Sequence, residues 1–289
     1  MMKDQAEGLR NRLKKQQNLQ TARTIAVISG KGGVGKSNFS LNFAITLAKK
    51  GHRVLLVDMD IGMGNIDILM GNPSRYSIID FFEYGKTLHE IISPGPESIS
   101  LIAGGTGLIK LFELEEPQFN RFLEEFNGLL HEYDYIIFDM GAGINADSTR
   151  FMLCVDDLIV ITTPEPTAVM DAYSVMKYLN SINQDLPFFL VCNRVHSAIE
   201  GQETIKRIQN ALQKFLQKET IPLGLLPDDK SVSRAVSRQI PFVLDNAGSI
   251  VSKSLSDLAA RYEDGCFKEG LSFKKNHFLG KLRSYFLGR

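Results

Sequence analysis

Ile25-Ala26-Val27-Ile28-Ser29-Gly30-Lys31-Gly32-Gly33-Val34-Gly35-Lys36-Ser37-Asn38 is the stretch that decides the fold. It begins as an apolar run, passes through a glycine-rich turn and opens an amphipathic segment. The spacing Gly30-x-x-x-x-Gly35-Lys36-Ser37 is a phosphate-loop pattern, and a strand before it with a helix after it is the context that pattern requires. Glycines let the backbone curl so that successive N–H groups point inward at phosphate oxygens. The helix that starts near Lys36 adds its positive dipole end. Lys36 is expected to reach the β- and γ-phosphates and Ser37 to give an oxygen to Mg²⁺. Gly30, Lys31, Gly32, Gly33, Val34, Gly35 and Asn38 complete the expected cradle for ATP or ADP.

Working outward, short apolar runs alternate with amphipathic segments. Strands are expected at 25–29, 54–58, 99–102, 135–139, 158–162, 188–192 and 221–225, and helices at 36–50, 117–131, 168–182 and 202–217. Near-continuous apolar strands separated by helices indicate a mostly parallel sheet covered on both faces. The expected fold class is therefore α/β: a doubly wound sheet in one domain, 21–264, carrying an N-terminal tail, 1–20, and a C-terminal segment, 265–289. Phosphate sites in such sheets lie beyond the carboxyl ends of the strands.

Composition narrows the function classes. Lys plus Arg and Asp plus Glu both number 33, so net charge is zero and a protein that coats nucleic acid is disfavoured. Cys154, Cys192 and Cys266 form no CxxC pair, which suggests reduced thiols in the cytoplasm. The first 20 residues are polar, unlike a signal peptide, and no apolar run of spanning length is visible. Any membrane contact is expected to be peripheral.

Two further strand ends carry acids. Val54-Leu55-Leu56-Val57-Asp58-Met59-Asp60 ends at a carboxylate suited to orienting water and taking its proton, and Asp58 is expected to be a structural group. Tyr135-Ile136-Ile137-Phe138-Asp139 reads as a Walker B strand, with Asp139 beside Mg²⁺ through a water. Gly141 and Gly143 suit a loop that senses the γ-phosphate.

Lys31 makes the loop Gly30-Lys31-Gly32-Gly33-Val34-Gly35-Lys36-Ser37, which resembles the deviant Walker A ATPases typified by MinD and ParA. The segment from Asp60 to Gly71 is similar to the switch I region of MinD-type ATPases. The resemblance implies an ATPase with Lys31, Lys36 and Asp60 as catalytic residues and Ser37, Asp60 and outer-sphere Asp139 around the metal. It implies an ATP-dependent homodimer in which Lys31 crosses to the partner's nucleotide, as an arginine finger does. Glu165, Thr167 and Asp171 would lie at the dimer face, with Gly141 in the switch. Asn193-Arg194 and Pro227-Asp228 resemble the family's adenine contacts. No Asn-Lys-x-Asp motif stands there, which favours ATP over GTP. Met140-Gly141 replaces the Thr-Pro that relatives often carry.

The two ends sharpen the reading. At helical spacing Phe278, Leu279, Leu282, Tyr285 and Phe286 share one face, bordered by Lys274 and Lys281. Such a helix suits an anionic membrane surface, or packs its stripe on the protein's own core. The segment Asp4-Gln5-Ala6-Glu7-Gly8-Leu9-Arg10 resembles the activating segment of the FlhG family, MinD-like ATPases that control flagellar number and placement. That resemblance implies that Asp4, Gln5, Leu9 and Arg10 engage the signal-recognition-type GTPase FlhF, and that flagellar basal-body and C-ring proteins are partners. The rival classes are a ParA-like DNA-segregation ATPase, a MinD-type regulator of the division site, and a redox ATPase like the nitrogenase iron protein.

Overall fold

The computed structural model describes residues 21–60, 66–104, 115–265 and 278–287. β1 (Arg23–Ile28) leads through the glycine turn into α1 (Lys36–Lys49) and then β2 (Val54–Met59). Short helices α2 (Ile66–Met70), α3 (Ile78–Tyr84) and α4 (Leu88–Ile91) follow, then the edge strands β3 (Ser93–Pro94) and β4 (Ser100–Ile102). The chain then alternates helix and strand: α5 (Glu116–Glu132), β5 (Tyr135–Met140), α6 (Ala146–Met152), β6 (Asp157–Thr162), α7 (Pro166–Ile182), β7 (Phe188–Val195), α8 (Ala198–Leu216) and β8 (Ile221–Pro227). After β8 come α9 (Lys230–Ser237), α10 (Phe242–Asp245), α11 (Ile250–Asp264) and α12 (Phe278–Leu287).

Among the described residues the strands form one eight-stranded sheet in the order β3-β4-β2-β5-β1-β6-β7-β8. Each pairing is parallel except β3 with β4. The expected doubly wound α/β architecture is the one observed. Alternating residues of each strand feed two cores. Ile25 and Val27 face the layer of α1, α10 and α11, while Ala26 and Ile28 face that of α5, α7, α8 and α12. The chain leaves β1 toward β2 on one side and returns to β6 on the other. The topological switch therefore falls at the carboxyl end of β1, where ligands of such sheets bind.

Each expected strand lies in the sheet, with its ends moved by three residues at most. The largest element not expected is α11. Its buried residues Val251, Leu255, Leu258, Ala259 and Tyr262 do repeat at helical spacing, but the serines between them dilute the apolar signal. The C-terminal helix takes the second of its two expected positions: Phe278, Leu282 and Phe286 are buried in the main core. Phe286 stacks on Phe119 with centroids 3.6 Å apart, and Phe278 meets Phe126, Phe138 and Phe151 at 5.4–5.7 Å.

Candidate nucleotide-binding site

The loop between β1 and α1 takes its shape from two glycines in the left-handed region, Gly33 at φ +80° and Gly35 at φ +93°. Gly35 also caps α1, and it supplies no side-chain acceptor for the helix's first N–H groups. Most other helices do have one: Ser77, Thr87, Asn145, Ser197, Asp229 and Ser249 each cap their own helix with a side chain. α1 thus opens with no side-chain cap and no acid in its first turn, an arrangement that favours an anion. Gly30 is needed for a different reason. A Cβ there would lie 2.2 Å from the carbonyl carbon of Asp171, so the loop rests directly on the backbone of α7.

The floor of the site is a buried ion pair. Lys36 Nζ lies 3.0 Å from Asp139 Oδ1, with both side chains buried. Ser40 Oγ donates to the same oxygen at 2.8 Å. Ser40 lies one helical turn after Lys36, and that spacing was the signal the sequence offered for it. The second oxygen, Asp139 Oδ2, is buried with no hydrogen-bond partner among the described residues. Asp58 pairs in register with Asp139 on the adjacent strand and is fully buried. Its Oδ1 accepts the Asp60 N–H at 2.9 Å and its Oδ2 the Ile66 N–H at 3.5 Å, so it ties down both ends of the segment after β2. Burial pushes the Asp58 carboxyl up to about 7; those two amides oppose the rise and nearby Asp139 adds to it. Asp60 is half-buried, and a Cβ on Gly141 would meet its Oδ1 at 3.4 Å. Asp60 and Gly141 therefore face each other across the mouth, and half-buried Ser37 heads α1.

The rim is different. Lys31 Nζ contacts Glu165 Oε2 at 3.0 Å and Thr167 Oγ1 at 3.1 Å. Its side chain is 41% exposed and that of Glu165 61%. The structure thus joins Lys31 to Glu165 and Thr167 within one chain, with Asp171 beneath Gly30.

At the base end, Asn193 and Arg194 lie within the last residues of β7, where the register with β8 shifts between Cys192 and Val195. Pro227 ends β8, and the Asp228 N–H donates to Val195 O at 3.0 Å, bringing the two expected base-contact turns side by side. Asn38, behind Ser37, accepts at both of its oxygens from Asn42 Nδ2 at 2.7 Å. Asn42 Oδ1 in turn accepts the Val243 N–H at 3.1 Å, linking the phosphate end to α10, a connection that sequence reasoning missed.

Asp4, Gln5, Leu9, Arg10, Lys274 and Cys266 lie outside the described residues. Of the expected lipid-facing residues, Leu279 and Tyr285 are half-buried, Phe278, Leu282 and Phe286 are interior, and Lys281 Nζ donates to Leu153 O at 3.4 Å. Burial pushes the Cys154 and Cys192 thiols up to about 12.

These residues fit a nucleotide with a divalent cation. The uncapped helix start and the two left-handed glycines suit phosphate oxygens. Asp139 Oδ2, without a partner among the described residues, supplies with Ser37 and Asp60 the oxygen donors Mg²⁺ prefers.

Comparison with known proteins agrees. Residues 25–242 match the family described as the CobQ/CobB/MinD/ParA nucleotide binding domain. The flagellum site-determining protein YlxH of Helicobacter pylori is 35% identical over 257 residues, covering 86% of each chain. The antiactivator FleN of Pseudomonas aeruginosa is 30% identical over 227 residues, covering 78% of this chain and 81% of FleN. The septum site-determining protein MinD of Pyrococcus horikoshii, solved with Mg-ADP, shares the fold at a TM-score of 0.68 and 22% identity, covering 88% of this chain and 99% of that one.

Proposed function

Because the chain belongs to the MinD/ParA family of P-loop nucleotide-binding proteins, we propose that it is an ATP-hydrolysing switch that sets flagellar number and placement through an ATP-dependent homodimer on the membrane. The observation that carries this reading is the division of labour between two lysines of one loop. Lys36 is buried against Asp139 and Lys31 is exposed at the rim. The flagellar part rests on the likeness to FleN and YlxH and on the segment around Gln5.

In this reading Lys36 turns from Asp139 Oδ1 to the β- and γ-phosphates while Gly32–Gly35 amides and the head of α1 hold the remaining oxygens. Ser37, Asp60 and, through a water, Asp139 would hold Mg²⁺, which would supply positive charge against the phosphates. Asp60 orients the attacking water and accepts its proton late in the step. The water oxygen bonds to the γ-phosphorus as the bond to the β–γ bridging oxygen breaks, giving ADP and phosphate. Lys31 leaves Glu165 and Thr167 and crosses to the nucleotide of the partner copy, where charge builds during transfer. Asn193, Arg194, Pro227 and Asp228 frame the base.

The membrane step uses α12. Its apolar stripe is covered by Phe119, Phe126 and Phe151 in the closed molecule. Release of the helix from two copies at once would give two weak anchors on one particle, and effective concentration multiplies their hold on anionic lipid. Residues 4–10 would then offer Gln5 to an FlhF-type GTPase.

Gel filtration tests the switch. The chain should elute as a monomer with ADP, and Asp60→Ala with ATP should elute as a dimer; a monomer there removes the proposal. Deleting 272–289 should abolish ATP-dependent sedimentation with anionic liposomes, and unchanged sedimentation rejects α12 as the anchor. Peptide 1–20 should accelerate GTP turnover by an FlhF-type protein, and no acceleration at saturation rejects that partner role.

A further inference from the structure

Ser40 lies four residues after Lys36 in α1, so the two side chains share a face of the helix. A hydroxyl inside a helix commonly gives its proton to the carbonyl four residues back. Thr46, Thr204 and Ser174 do so at 2.7–2.9 Å. Ser40 has a choice of acceptors. Its Oγ lies 3.1 Å from Lys36 O and 2.8 Å from Asp139 Oδ1. One hydroxyl has one proton, and the carboxylate takes it as both the nearer and the charged acceptor.

The consequence concerns the pair beside it. Asp139 is fully buried, and among the described residues its side-chain donors are Lys36 Nζ and Ser40 Oγ. In the nucleotide-site reading, Lys36 leaves this carboxylate for the β- and γ-phosphates. A buried charge that loses its partner is costly, and the cost falls when another donor stays behind. Ser40 is that donor. We infer that Ser40 is a positioning residue: its hydroxyl keeps hold of Asp139 Oδ1 while Lys36 moves to the phosphates, and so lowers the cost of that move. The inference rests on the nucleotide-site reading above and adds to it a residue that acts through Lys36 and Asp139.

A double-mutant cycle on binding tests this. Titration calorimetry with Mg-ADP is run on the wild-type chain, Ser40→Ala, Ser40→Cys, Lys36→Ala and the two double variants. The weakest binders are read from the rise in melting temperature at high nucleotide concentration. Cysteine fills the place of serine with only a weak donor, so it guards against a cavity defect in the alanine variant. With Lys36 present, each Ser40 variant should weaken binding roughly tenfold, the size of one hydrogen bond to a charged group. In the Lys36→Ala background no lysine has to leave Asp139, so the same change at Ser40 should cost no further affinity. A Ser40 that merely supports the helix would weaken binding by the same factor in both backgrounds. That result, or wild-type affinity in both single Ser40 variants, would overturn the inference. A wild-type chain that binds no nucleotide would instead overturn the nucleotide-site reading.

Discussion

Asp157 and Asp139 are both fully buried, on the two strands that flank β1, yet they lie at opposite ends of the sheet and are treated differently. At the amino end of β6, Asp157 is surrounded: Arg23 Nη2 donates to Oδ1 at 2.7 Å, and Arg23 Nε and the Tyr262 hydroxyl both donate to Oδ2. Its surroundings repeat the theme. Asp156 accepts from the Thr24 amide at 2.8 Å and hydroxyl at 2.7 Å, and Arg53 brackets Asp134. At the carboxyl end of β5, Asp139 has two donors on one oxygen and none among the described residues on the other. A buried charge whose two oxygens are both met by the protein holds the fold together. One left half-met beside glycines and an uncapped helix keeps an acceptor for the proposed nucleotide and its cation.

If that contrast is sound, variants at the carboxyl end should change chemistry and those at the amino end stability. The largest expected effect is on turnover. Lys31→Ala should lower ATP hydrolysis about 10³-fold or more, the range for a cation supplied in trans. Its exposed ion pair with Glu165 should leave the melting of the nucleotide-free chain unchanged. Melting that drops as far as for a core variant would break the comparison. At the other end, Asp157→Ala removes the carboxylate that Arg23 and Tyr262 share, and urea unfolding should show a loss of about 3 kcal/mol. Nucleotide affinity of the folded variant should stay at the wild-type value.

Between the ends lies the slot for α12, where Leu282 is fully buried. Leu282→Ala should cost about 2–3 kcal/mol in urea unfolding if the helix is an integral part of the fold. A loss near zero would mean the helix is barely held. The smallest effect concerns acid. Hydrogen bonding from Arg53 holds the Asp134 carboxyl below its ordinary range. A carboxylate with a lowered folded-state value adds stability above its unfolded value, near pH 4, and loses it as pH falls through the folded value. The pair is largely exposed, so Arg53→Ala should lower stability at pH 7 by less than about 1 kcal/mol. The difference between variant and wild type should shrink at pH 3, as read from urea midpoints, and one that widens in acid would contradict it.

The phosphate loop, both acidic strand ends and the parallel sheet were legible because each has a local signature: a glycine spacing, an apolar run that ends in an acid, and near-continuous apolar runs alternating with amphipathic segments. What stayed hidden depends on distant parts of the chain meeting. Nothing local says that Asn193 meets Val34 or that Asn42 reaches Val243. The amphipathic stripe of α12 was plain, but amphipathicity alone cannot distinguish a lipid surface from a row of phenylalanines. The stacking of Phe286 on Phe119 decides it for this closed molecule. Lys31 was expected to reach toward a second copy; its contact with Glu165 in the same chain appears only when β1 and β6 lie side by side.

Equilibrium binding of Mg-ATP to the wild-type chain, Lys36→Ala and Lys31→Ala is the most direct test that this loop grips a nucleotide from within and reaches a twin from without. Lys36→Ala should weaken binding by roughly a hundredfold, the size of a strong charge-assisted hydrogen bond, while Lys31→Ala binds as a monomer at wild-type affinity. A Lys36→Ala chain that binds ATP as tightly as the wild type would contradict the account.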